Sequence, residues 1–260
     1  MTRAYLATVR MAATSGIGEH PLVFLDHAIS LLRVVLIVAI WRAVLGAAGA
    51  TEAGSAGAVL TYVVLARVLA DQLDARTELL NGIWEGSVAT RLLRPVSMFG
   101  DYIAEMAGGW ALRWVTFSIP VLGLTPLLRV SVAPASGLRA AAFVLSVMLS
   151  ITVGVAVDFL FGLLVVRFSE NAYALRLARD GMTPLLSGAV IPLPLLPWGL
   201  GGVLAWLPLA SMVAAPLRIY TGDGDVIALL SRQAGWAVFL WVVTRPAWRR
   251  TAVRMVSFGG

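Results

Sequence analysis

The feature that most constrains this chain is the length of its uncharged apolar runs. Across residues 140–166 a single ionisable side chain, Asp158, interrupts an otherwise apolar stretch, and across 181–217 there is none. A helix needs about 20 mostly apolar residues to cross a bilayer, and lipid offers no partner to unpaired backbone groups. Such runs therefore dictate spanning helices. Six stretches read as crossings: 29–48, 56–70, 113–128, 140–166, 181–192 with some residues before it, and 226–244. Of 260 residues, 59% are hydrophobic and 13% charged, against about one-quarter charged in a soluble domain. Six crossings with short loops use up the length, so residues 1–260 read as one transmembrane domain.

All 20 basic residues are arginine, and cysteine is absent. Without lysine there is no P-loop amine and no Schiff base; without cysteine there is no disulfide, thiol nucleophile or thiolate metal site. The arginines act first as topology signals. With a cytosolic N-terminus, twelve fall inside or at the inner boundary (3, 10, 76, 91, 94, 167, 176, 179, 245, 249, 250 and 254), and only Arg129, Arg139 and Arg218 fall outside. That asymmetry puts both termini in the cytosol of a multi-pass protein.

Residues 1–20 lack the apolar core of a secretory signal and read as an interfacial helix. Tyr5, Leu6, Val9, Ala12 and Ala13 share one face, with Arg3 and Arg10 on the other, toward headgroups. Residues 181–217 are too long for one crossing and carry Pro184, Pro192, Pro194, Pro197, Pro208 and Pro216. A helix ending near Pro192, followed by an outer segment over 193–222 that dips back into the membrane, accommodates both the length and the prolines.

Between the second and third crossings, residues 81–95 read Asn-Gly-Ile-Trp-Glu-Gly-Ser-Val-Ala-Thr-Arg-Leu-Leu-Arg-Pro. A two-turn helix is expected, capped by Ser87, favoured by Glu85 near its positive end and stopped before Pro95. Val88 and Leu92 share a face, with Arg91 and Arg94 beside it. Periodicity leaves two readings even: docking into a groove of a cytosolic partner, or lying on the bilayer surface.

This segment resembles the coupling region of permeases of type 2 ATP-binding-cassette exporters, in the branch whose cytosolic loop runs from a glycine to Leu-Leu-Arg-Pro. The matching residues are Gly86, Leu92, Leu93, Arg94, Pro95 and Val96. Residues 186–193, Leu-Ser-Gly-Ala-Val-Ile-Pro-Leu, continuing through Pro197, Leu207, Pro208 and Pro216 to Gly222, are similar to the same branch, as is the closing Val-Ser-Phe-Gly-Gly. The resemblance implies an all-α polytopic fold with six transmembrane helices. An N-terminal interfacial helix, a cytosolic coupling helix between spans 2 and 3 (within 81–96) and a re-entrant outer hairpin before span 6 complete it. It implies two permease copies, identical or related, and a separate ATPase dimer that binds ATP and Mg. It also implies a coupling surface formed by Gly82, Glu85, Gly86, Ser87, Val88, Arg91, Leu92, Leu93, Arg94 and Pro95, and location in a bacterial-type inner or plasma membrane. No catalytic residue, metal ligand or cofactor is expected in this chain.

Charges inside spans cost about 2.5 to 3.5 kcal/mol at mid-bilayer and need a partner or a wet cavity. Arg67 and Asp71, four apart, are expected to pair along one helix, as are Arg176, Arg179 and Asp180 with each other. Asp158, Arg67, Arg179, Pro192 and Pro208 are the candidates for pathway or gate. His20 and His27, separated by Pro21, read as surface residues rather than metal ligands. The expected function is export of amphipathic, drug- or antibiotic-like molecules. Alternatives are a lipid or polymer cargo, or a proton-coupled carrier using Asp158, Glu105 or Asp180. No HExxH or GxSxG set supports an intramembrane enzyme.

Overall fold

The computed structural model describes residues 2–18, 22–47, 53–77, 79–85, 87–92, 97–168 and 172–258, and all their regular structure is helical. Among the described residues fourteen α-helices follow in order. They are α1 (Thr2–Gly18), α2 (Leu22–Ala47), α3 (Ala53–Val68), α4 (Ala70–Leu73), α5 (Leu79–Trp84), α6 (Val88–Leu92) and α7 (Met98–Arg113), then α8 (Ile119–Leu124), α9 (Gly137–Arg167), α10 (Ala172–Leu186), α11 (Leu200–Leu204), α12 (Pro208–Met212), α13 (Ala214–Thr221) and α14 (Val226–Phe258).

Among the described residues, three helices are long and apolar enough to cross a membrane: His27–Ala47, Gly137–Arg167 and Val226–Thr251. A fourth apolar helix, Ala56–Val68, is shorter. The crossing expected over 113–128 belongs to a longer rod that starts at Met98, passes through a π-turn at Trp114–Ser118 and ends with α8. Pro120, at the first turn of α8, has no N–H to give the preceding turn, and the ladder widens there. The stretch expected over 181–192 is helical only to Leu186, because the chain turns through Gly188 at φ +83°. α14 continues well beyond the expected end at Thr244, with Pro246 inside it.

α9 is the axis of the bundle, and its middle collects three segments. The Ser150 hydroxyl donates to Met212 O, at the break between α12 and α13, and lies 3.5 Å from Leu73 O. A Cβ on Gly154 would stand 3.0 Å from the Cβ of Ala75 and 3.4 Å from Met212 Cε, so glycine lets both backbones approach. Gln233 of α14 accepts from Ser146 Oγ at 2.6 Å and donates to Ser211 O at 2.8 Å, tying α9, α12 and α14. These buried bonds satisfy the irregular backbone of 193–222, which carries unpaired groups wherever a helix breaks. Ala214 N donates to Ser187 O at 3.1 Å, so α13 begins where α10 has just ended. Tyr62 of α3 donates to Gly188 O beside it at 2.9 Å.

α1 runs beside α7 in the same direction. Tyr5 accepts from Ser97 N, Thr8 donates to Asp101, and a Cβ on Gly108 would fall 2.4 Å from Val9 O and 2.7 Å from Ala12 Cβ. The apolar face expected to rest on the bilayer thus rests on α7, while Leu6 stays 65% exposed and Arg10 points outward. Gly100, Ala104 and Gly108, spaced by four, form the smooth stripe that admits it. That stripe is the signal the periodicity of α1 by itself does not supply.

Candidate coupling loop and intramembrane cavity

The loop from Asp74 to Leu92 is bonded at several points to the bundle. At its root, the Thr77 N–H donates to Asp158 Oδ2 at 2.9 Å and the Thr77 hydroxyl bonds the same oxygen, while Arg179 Nη2 meets Asp158 Oδ1 at 2.8 Å. Asp158 is 0% exposed and Arg179 3%. Arg179 also approaches Asp74 at 3.8 Å and donates to Ala75 O, and Arg76 pairs with Asp74 at 2.6 Å and with Asp180. Two residues selected for pathway or gate, Asp158 and Arg179, are therefore partners in one buried pair that holds the loop root to α9 and α10. Higher in the loop, Asn81 accepts from Arg176.

The candidate coupling helix, α6, is turned toward its own chain. Val88 is buried in a cluster with Leu79, Met98, Tyr102, Phe159 and Trp248. Arg91 forms a two-toothed pair with Glu105 of α7 at 2.6 and 3.1 Å, reaches Asp101 at 3.4 Å and lies 4.5 Å over the Tyr102 ring. The bond to Glu105 holds the Arg91 guanidinium above its usual pKa against the opposing effect of burial. Gly82 is needed beneath it, since a Cβ there would meet Tyr102 Oη at 2.8 Å and Ser87 Oγ at 3.2 Å. Ser87 donates weakly to Gly82 O, and its own carbonyl accepts from Arg91 N. The stripe expected to face a partner thus has Val88 and Arg91 facing inward, with Glu85 and Thr90 exposed. Gly86, Leu93, Arg94, Pro95 and Val96 lie outside the described residues, as does His20. Leu92 closes α6.

Above this loop, between α2, α3 and α7, lies a cavity of about 800 Å3. Arg67 lines it, but its expected partner Asp71 does not pair with it; Asp71 reaches Arg113 of α7 at 2.8 Å. The cause is local. α3 stops at Val68 and Leu69 leaves helical geometry at φ −103°, ψ 16°, so Arg67 and Asp71 are no longer on one continuous helix. His27 bonds Thr116 at 2.8 Å on the cavity wall. Pro192 precedes a 3-10 turn at Leu193–Leu195, and Pro208 opens α12; neither lines this cavity.

These features define a polytopic helical membrane protein with a charged cavity between its helices and a loop anchored to several of them. Residues 31–259 match the family model described as ABC-2 family transporter protein, and the chain belongs to that family. It is a transmembrane permease component of an ABC transporter. No curated protein matches the chain.

Proposed function

We propose that this permease exports amphipathic small molecules, coupled to a separate ATPase that docks on the loop containing α6, with two permease copies forming the pathway. ATP and Mg are held by the ATPase, and both termini and the loop face the cytosol of a bacterial-type inner or plasma membrane. The observation that carries the reading is the Arg91–Glu105 pair. A helix that receives a push must be rigidly joined to the helix that moves, and a two-toothed arginine–carboxylate pair gives that stiffness. Through Glu105 the load enters α7; through Asp158, Arg179 and Asp180 it enters α9 and α10.

The arginine-rich inner ends supply the positive-inside charge, and the absence of lysine leaves nucleotide chemistry to a partner. A proton-coupled mechanism has less support, because Asp158, Glu105 and Asp180 are each engaged with an arginine. The test is co-purification of the chain with its ATPase, followed by transport in vesicles. Transport that requires ATP and that ATPase supports the reading; transport in its absence, or one driven by a proton gradient alone, overturns it.

A further inference from the structure

Among the described charges on the cavity wall, all but two have partners. Arg113 pairs with Asp71, Arg76 with Asp74 and Asp180, and Glu105 with Arg91. The two left over are both cations: Arg33 of α2 and Arg67 of α3 have no ion-pair partner among the described residues. They stand close enough to repel each other, and the Arg67 Nε is enclosed with no hydrogen-bond acceptor. Two guanidinium groups facing one cavity among apolar helices are costly, and a bound anion would offset that cost. The same wall also carries apolar side chains, among them Ala66, Met106 and Trp110.

We propose that this cavity binds the acidic head of an anionic amphiphile, with Arg33 and Arg67 donating to a carboxylate, phosphate or sulfonate and the apolar wall taking the tail. Arginine forks match such oxyanions in geometry as well as charge. Treating the bound molecule as cargo rests on the permease reading; the binding itself does not.

The full-length chain in phosphatidylcholine nanodiscs is titrated with decyl phosphate and, separately, with decyltrimethylammonium, with empty discs as baseline. Decyl phosphate should bind saturably at one site per chain and the cation should not. Arg67→Gln and Arg33→Gln should each weaken binding by about tenfold or more, the loss expected for a hydrogen bond to a charged group. Arg67→Lys, which keeps the charge, should recover part of it and so separates a lost contact from a lost fold. Equal binding of the two amphiphiles, or unchanged binding in the double glutamine variant, overturns the proposal. Repeating the titration with phosphatidylglycerol in the discs identifies the source of the anion. Unchanged affinity leaves the site to a free amphiphile, whereas competition assigns it to a lipid headgroup and overturns the cargo role. Because neither ATP nor the ATPase is present, the titration reads binding alone; ATPase-independent transport in the separate vesicle assay would sink the coupling reading and spare this one.

Discussion

Asp158 of α9 and Arg179 of α10 meet at 2.8 Å with both side chains almost wholly enclosed. Removing one member of such a pair strands the other, at a cost of about 3 to 5 kcal/mol, whereas replacing both by apolar groups of similar size is often neutral. Asp158→Ala should therefore lower the thermal unfolding midpoint sharply. The double variant Asp158→Leu with Arg179→Met should recover part of it, the stranded Thr77 N–H and hydroxyl withholding the rest. A double variant as unstable as the single one would show that the carboxylate has a role beyond pairing.

In α6, Arg91→Gln breaks the pair with Glu105 but leaves the exposed Glu85 and Thr90 in place. ATPase pull-down should stay near wild type while ATP-driven transport falls by about tenfold or more, given about 1.5 to 3 kcal/mol for a charged hydrogen bond. The swap of Arg91→Glu with Glu105→Arg should restore part of the transport. Loss of pull-down with Arg91→Gln would instead put Arg91 in the docking surface itself.

α1 supplies a simple geometric test. Gly108→Ala places a Cβ within 2.4 Å of Val9 O, so α1 must shift or detach, and overpacking of this kind costs about 1 to 3 kcal/mol. Gly109→Ala meets nothing within 4 Å and serves as its control. Protease cleavage of an N-terminal tag should accelerate for Gly108→Ala alone. Equal cleavage of both variants would contradict the packing of α1 on α7.

Gln233 holds α12 to α9 and α14 through Ser146 and Ser211. Gln233→Leu forfeits these bonds and should cost about 1 to 3 kcal/mol through the unsatisfied groups left behind. If the segment closes the pathway, the variant should also leak small solutes in vesicles. An intact seal would detach the gating role from this anchor.

Much of the frame was legible because lipid imposes one rule on backbone polarity. The apolar runs located α2, α9 and α14, and the helical periodicity of residues 5–13 drew α1 but put the exposed Leu6 on its inward face. What that face touches was not legible, since an apolar stripe fits a bilayer and a neighbouring helix equally well. The stripe Gly100, Ala104 and Gly108 decides between them only once α7 is known to start at Met98. Arg67 and Asp71 misled for a related reason: four-residue spacing implies contact only in an unbroken helix, and Leu69 breaks it. Asp158 stood out as a lone carboxylate, but its partner lies 21 positions away on another helix, a distance that sequence periodicity does not span.

The bond between Ala214 N and Ser187 O has one further consequence. α10 has 15 residues and α13 has 8, and end to end at about 1.5 Å per residue they would reach about 35 Å, somewhat more than the roughly 30 Å of a hydrocarbon core. Two stretches far apart in the chain meet at this bond, and the residues between them stay tied to α9 and α14 through Met212 O and Ser211 O. A single protease nick near Trp198, which is 91% exposed, should therefore leave both pieces seated in the bundle and co-migrating in mild detergent.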